Sequence, residues 1–279
     1  MPRAAVIALS HGGGPLPLLG DPSHDALVES MRTRVPTILG LKSTGAGIQD
    51  RPRAIVLVTA HWSERVPAVS SGDRPALLYD YGGFPPAAYE LRYDAPGSSE
   101  VAQRVASLLR QGGFQPELND TRGWDHGVFV PMMLIHPAAD IPVVQVSVLA
   151  SEDPAAHFAM GRALVPLREE NIAIVGSGFA SFHNLQLMFA GIARDPSART
   201  QLAAWNEAVT AAVLEPDPAA RGAAIAQWRS FPAAYTAHPR GRAEHFMPLI
   251  VCAGAAGNET GKTFADHFQG LDILTYYWE

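Results

Sequence analysis

Cysteine is nearly absent. Cys252 is the one thiol among 279 residues, which excludes an intrachain disulfide and any cysteine-built zinc module. It lies in the apolar run 246–253, the setting of a buried, inert sulfur rather than of a nucleophile. Positive charge is scarce and scattered: 21 Lys and Arg stand against 27 Asp and Glu, for a net charge of −6 with no basic run. Nucleic acid is therefore not an expected partner. No apolar stretch approaches the roughly 18–20 residues that span a bilayer, so no membrane partner is expected either. The start of the chain lacks the apolar core of a signal peptide, and a cytoplasmic protein is expected.

Several catalytic signatures are missing too. The glycines after His11 lack the spacing of a dinucleotide fingerprint, and no Walker lysine follows a glycine loop. Gly176-Ser177-Gly178 is not a nucleophile elbow, because Val175 stands two residues before the serine. There is no repeat period, low-complexity tract or evident linker.

What the chain does have is histidine, ten of them, several at the ends of apolar runs. Val6-Ile7-Ala8-Leu9-Ser10 reads as a buried strand that stops at His11 and three glycines; Ala54-Ile55-Val56-Leu57-Val58-Thr59-Ala60 stops in the same way at His61. Further strands are expected over 141–149, over 172–178 and near 273–278, with short extended segments over 66–78. Helical spacing at Leu27, Met31 and Val35, and again at Val101, Val105, Leu108 and Leu109, marks helices. Others are expected over 154–168, 198–214 and 219–230. Strands alternating with helices indicate one α/β domain over 1–279, with a central mixed β-sheet flanked by helices on both faces.

Ligands in such sheets bind beyond the carboxyl ends of the strands. His11 and His61 stand there, and imidazoles on rigid elements are how a metal site is built. His183, after a glycine-rich strand end, suits a ligand or a general base. His245, or Glu244 beside it, suits a third ligand. His126 has Asp125 next to it, a carboxylate placed to orient the ring. His24, His136, His157, His238 and His267 lack this context and read as solvated or structural, His238 being the first exception to consider. The aromatic segment 79–86 reads as a loop that lines a pocket or packs on itself.

Ser10-His11-Gly12, Thr59-Ala60-His61-Trp62, Trp124-Asp125-His126-Gly127, Gly176-Ser177-Gly178 with His183-Asn184-Leu185, and Glu244-His245-Phe246-Met247-Pro248-Leu249 occur in that order. So do Phe84-Pro85-Pro86, Tyr89-Glu90 and Tyr93-Asp94-Ala95-Pro96-Gly97. Together they resemble the class III extradiol ring-cleaving dioxygenases of the LigB-type superfamily, in the branch similar to 4,5-DOPA extradiol dioxygenase. The resemblance runs nearly end to end. It implies a metal held by His11, His61 and His245, with His183 as acid/base and His126 against substrate or oxygen. It further implies non-haem Fe(II), a small aromatic diol and O2 as partners, and a muconic semialdehyde as product; a homo-oligomer is compatible with it. Other branches hold iron with two histidines and a glutamate, whereas the third position here matches His245, and an all-histidine set also suits Zn(II). Two rival readings therefore stand beside the dioxygenase: a zinc-dependent hydrolase on the same histidines, and a binding protein on the same scaffold.

Overall fold

In the computed structural model, which describes residues 3–42 and 51–279, β1 (Val6–Ser10) is buried at every position and occupies the interior of a sheet. Its neighbours are β6 (Ile172–Gly178), parallel to it, and β8 (Leu271–Trp278), antiparallel. On the far side of β6 come β2 (Ala54–Glu64) and β5 (Val143–Leu149), both parallel to it in sense. Branched aliphatic residues buried on both faces are what a parallel sheet covered on both sides requires. The short strands β3 (Ala68–Ser70) and β4 (Glu117–Asn119) extend one edge; β7 (Lys262–Phe268) closes the other as a hairpin with β8. The eight strands form one mixed sheet in the order β4-β3-β5-β2-β6-β1-β8-β7, so the expected α/β class holds.

The longer helices are α1 (Asp25–Ile38), α2 (Ser99–Gln111), α3 (His126–Ile135), α4 (Pro154–Glu169) and, after the short α5 (Leu185–Phe189), α6 (Pro196–Val213). Then come α7 (Pro218–Ala226), the single turn α8 (Ala234–Ala237) and α9 (Met247–Ala255). Ser98 and Asp153 cap α2 and α4 by accepting backbone N–H groups of the first turn. No helix among the described residues is long and apolar enough to cross a membrane.

Strand β6 shows how the two faces are covered. Residues alternate across a strand. A side chain at Gly176 would meet Cys252 Sγ at 2.6 Å and the Pro248 carbonyl at 2.7 Å, both on α9, and one at Gly178 would strike the His245 carbonyl. Ser177, pointing the other way, bonds the Gly127 carbonyl of α3. Glycine on one face and serine on the other let two helices close on the same strand. Gly161 and Gly254 do likewise between α4 and α9, each lying against backbone of the opposite helix.

One expectation needed revision, and one strand had not been expected. The segment expected as one helix over 219–230 breaks after Ala226 into a separate 3-10 turn over Trp228–Ser230. The final strand is half of a hairpin whose other half, β7, has no hydrophobic signature. An edge strand that carries Lys262, Asp266 and His267 among its seven residues resists further pairing, and hides from hydropathy for the same reason.

Candidate active site

The carboxyl end of β6 gathers the site. Gly178 accepts the His11 backbone N–H (3.2 Å), and Phe179 donates its N–H to the His245 carbonyl (2.9 Å). His61 arrives from β2 by a different route. Thr59 pairs with Ser147 of β5, but Ser63 pairs with Val148, so Ala60, His61 and Trp62 leave the ladder. Irregularities of this kind re-aim a side chain.

The three rings meet through the same nitrogen. His61 Nε2 lies 3.0 Å from His11 Nε2 and 3.2 Å from His245 Nε2. Their other nitrogens face oxygen. Ser177 spends its proton on the Gly127 carbonyl, so its Oγ can only accept from His11 Nδ1–H (3.0 Å). His245 Nδ1–H donates to Glu244 Oε1 (2.9 Å), and Asp80 Oδ2 lies 3.5 Å from His61 Nδ1. His11 and His245 therefore present bare Nε2 lone pairs to the Nε2 of His61. One proton on His61 could serve only one of them, whereas a cation bonded at the usual distance of about 2.0–2.1 Å could serve more than one. Oxygen acceptors behind the imidazoles are the usual support of a metal-bound histidine.

Burial keeps these rings neutral, as ligation requires. Desolvation, followed by repulsion from His61, His126 and His183, holds His11 well below the ordinary imidazole value. His245 is held down in the same way, by burial first and then by its four histidine neighbours. Burial pushes His61 and His183 down to about 3, with repulsion from other histidines adding to it.

His183 and His126 flank the cluster. The His183 ring stacks on His245 with centroids 3.4 Å apart and planes 13° from parallel; its Nδ1 is 4.0 Å from Glu244 Oε1. A nitrogen of His126 lies within 4.8 Å of ring nitrogens on both His11 and His61. All five histidines singled out in the sequence thus come together.

Asp125 does not orient His126. It is fully buried and serves β2: its Oδ1 accepts from Thr59 Oγ1 (2.8 Å), which in turn accepts the His61 N–H (3.1 Å). Its Oδ2 accepts from Arg122 Nη2 (3.0 Å) and Gln145 Nε2 (3.2 Å), and Arg122 also reaches the His61 carbonyl (3.2 Å). The carboxylate on His126 is Asp80, 46 residues upstream, which takes both the ring Nδ1–H (2.8 Å) and the backbone N–H (3.0 Å). Burial pushes the Asp80 carboxyl up, but bonds and charge from His126 outweigh it and hold the carboxyl below its ordinary range. Sequence reading missed Asp80, Ser177 and Glu244's role behind His245; an acid between two tyrosines carries no local signal of its partner.

The remaining histidines are structural or solvated. His24 is buried and accepts the Gly13 N–H (3.0 Å), fixing the glycine turn after His11. His136 pairs with Asp140, and His267 is exposed beside Asp272. His157 accepts the Leu149 N–H (2.9 Å). His238, buried against Trp205, Trp228 and Phe246, donates to the Ala180 carbonyl (2.8 Å) and stays outside the cluster.

A cavity of about 420 Å³ opens beside His183 and Glu244, lined also by Asn184, Gln186, Arg240 and Arg242. Arg240 lies over the Tyr235 ring at 3.8 Å. The aromatic loop lies against His126 and the turn after His11. Tyr81 stands edge-on to His126 with centroids 5.8 Å apart, and Phe84 reaches the turn at Gly14, where an added Cβ would meet it at 3.2 Å. A larger cavity of about 720 Å³, between α6 and the β7–β8 hairpin, is lined by His267 and by none of the five clustered histidines.

Residues 7–273 match the family model described as the catalytic LigB subunit of aromatic ring-opening dioxygenase. A protein of Hapsidospora irregularis named dioxygenase tasH is 52% identical over all of this chain and 86% of its own length. The 4,5-DOPA dioxygenase extradiol of Beta vulgaris is 35% identical over 81% of each chain. A crystal structure of an uncharacterised Escherichia coli K12 protein superposes with a TM-score of 0.74 at 29% identity, covering 99% of this chain and all of that one.

Proposed function

Because the chain belongs to the LigB family of aromatic ring-opening dioxygenases, we propose that it opens a catechol-type ring beside the diol, giving a muconic semialdehyde, with Fe(II) held by His11, His61 and His245. The convergence of three Nε2 atoms at 3.0 and 3.2 Å, with oxygen behind each opposite nitrogen, carries this reading. Bound there, the ion would supply Lewis acidity toward a phenol oxygen and the redox chemistry that O2 requires. Both atoms of O2 end in the product, so no external reductant is needed, in keeping with a chain that lacks a dinucleotide fingerprint.

His183 is assigned the diol proton. Its ring is neutral at pH 7, and Glu244 lies within ion-pair reach of the imidazolium formed on accepting that proton. His126 is assigned to substrate or oxygen contact, with its Nδ1 proton committed to Asp80 and its Nε2 left free to accept or relay a proton. The loop bearing Tyr81 and Phe84 excludes water from that side. Arg240 and Arg242 line the outer cavity, where they suit a carboxylate on the substrate.

The test is anaerobic reconstitution with Fe(II), addition of a catechol panel, then admission of air. A yellow product with one O2 consumed per ring opened is expected. Substrate turnover without oxygen uptake, restored equally by Zn(II), would transfer the site to the hydrolase reading.

A further inference from the structure

The loop between β3 and α2 sends a single carboxylate, Asp80, to the histidine cluster. Its Oδ1 accepts twice from one residue, from the backbone N–H of His126 at the start of α3 (3.0 Å) and from the ring Nδ1–H (2.8 Å). Its Oδ2 stands 3.5 Å from His61 Nδ1. A carboxylate only accepts, so the contact fixes the proton on Nδ1 of His126 and leaves Nε2 bare.

Hydrogen bonds hold the loop that carries this carboxylate. Its neighbours on both sides are tied down: Tyr79 donates to the Leu91 carbonyl (2.7 Å) and Tyr81 to the Ala88 carbonyl (2.6 Å). Asp80 N–H bonds the Leu78 carbonyl (2.9 Å), and Leu78 N–H bonds the Trp124 carbonyl (2.7 Å), two residues before His126. The same loop lays Phe84 over the Gly14 turn that follows His11.

We infer that Asp80 is a positioning residue that sets the tautomer and plane of His126, braces His61, and so ties the aromatic loop to the geometry of the histidine cluster. The kinetic part of this inference rests on the ring-opening reading; the tautomer part does not.

The experiment is a long-range 1H–15N correlation of metal-free protein at pH 8, with the His126 signals assigned by their loss in His126→Gln. Wild type should show His126 protonated on Nδ1, and Asp80→Ala should move the proton wholly or partly to Nε2. In the Fe(II)-loaded enzyme, Asp80→Ala should lower kcat by about 10–100-fold, in the range for carboxylates behind active-site histidines, with KM changed less than about twofold. A mere loop staple predicts instead a lower Tm with tautomer and kcat per folded molecule retained. Nε2 protonation in the wild type overturns the inference whether or not the variants fold, and so does an Asp80→Ala enzyme with unchanged tautomer and kcat. If Fe(II)-loaded wild type opens no ring, the proposed function fails while the tautomer comparison still decides the role of Asp80.

Discussion

Ser177 on β6 accepts the Nδ1–H of His11 at 3.0 Å and hands its own proton to the Gly127 carbonyl of α3. One hydroxyl thus sets which nitrogen of a proposed ligand is bare and joins the sheet to the helix that starts at His126. It performs both tasks while fully buried, where an orphaned polar group is costly.

Ser177→Ala should therefore act on two scales. Leaving Nδ1–H of His11 and the Gly127 carbonyl without partners is expected to destabilise the fold by roughly 1–3 kcal/mol. Affinity for Fe(II) or Zn(II) should fall about 10–100-fold, as for other partners behind metal-bound histidines. Chelator competition on the folded fraction measures the second effect; unchanged affinity would detach Ser177 from the metal site.

His183 and His245 stack face to face, yet they should behave differently when removed. His245→Ala takes away one of the three converging Nε2 atoms and should abolish stoichiometric metal binding. His183→Ala should keep the metal and lose on the order of 10²–10⁴-fold in turnover, the usual worth of a positioned acid/base. Metal content by elemental analysis separates the two. Metal loss in His183→Ala would make that residue a ligand.

His11, His61 and His183 were legible because β1, β2 and β6 are apolar runs that end at the carboxyl edge of the parallel part of the sheet, whereas His245 stands before α9 and showed only through its motif. Their partners were not. Asp80 meets His126 across 46 residues, and Asp125, adjacent in sequence, turns away to hold Thr59, Arg122 and Gln145. Adjacency along the chain carried no information once α3 began at His126 and set the two side chains in different directions. The slip in register that delivers His61 was equally hidden, since Ala60-His61-Trp62 looks like the end of a regular strand. β7 escaped because its edge position favours charge over hydrophobicity.

Gly127 marks the tightest point behind His61. A Cβ there would lie 2.7 Å from Thr59 Oγ1, 3.0 Å from a carbon of the His61 ring and 3.1 Å from Asp125 Oδ1. Gly127→Ala should push on all three and cost about 1–3 kcal/mol, as overpacking does. Because His61 is among the groups displaced, metal affinity should fall with the Tm. Full affinity at reduced Tm would mean that the strain is relieved away from the ring.

Acid sensitivity should arise partly far from the site, at His157. Its Nε2 accepts the Leu149 N–H (2.9 Å), its Nδ1–H donates to the Asp153 carbonyl (2.7 Å), and burial lowers its pKa from 6.5 to about 4. Asp153 opposes that shift and Arg229 adds to it, both more weakly than burial. Between pH 6.5 and 4 the unfolded chain binds a proton that the folded chain refuses, so stability falls as pH falls through this window. The contribution is complete above pH 6.5 and decreases by about 1.4 kcal/mol per pH unit below it, to a total of roughly 3 kcal/mol. His157→Gln, which cannot take up that proton, should be less stable than wild type at pH 7.5 but lose less on acidification. Urea unfolding of the metal-free proteins at pH 7.5, 6 and 5 measures the difference in slope, and removes what the clustered histidines contribute equally to both. Parallel slopes for the two proteins would show that His157 is not held neutral by the fold.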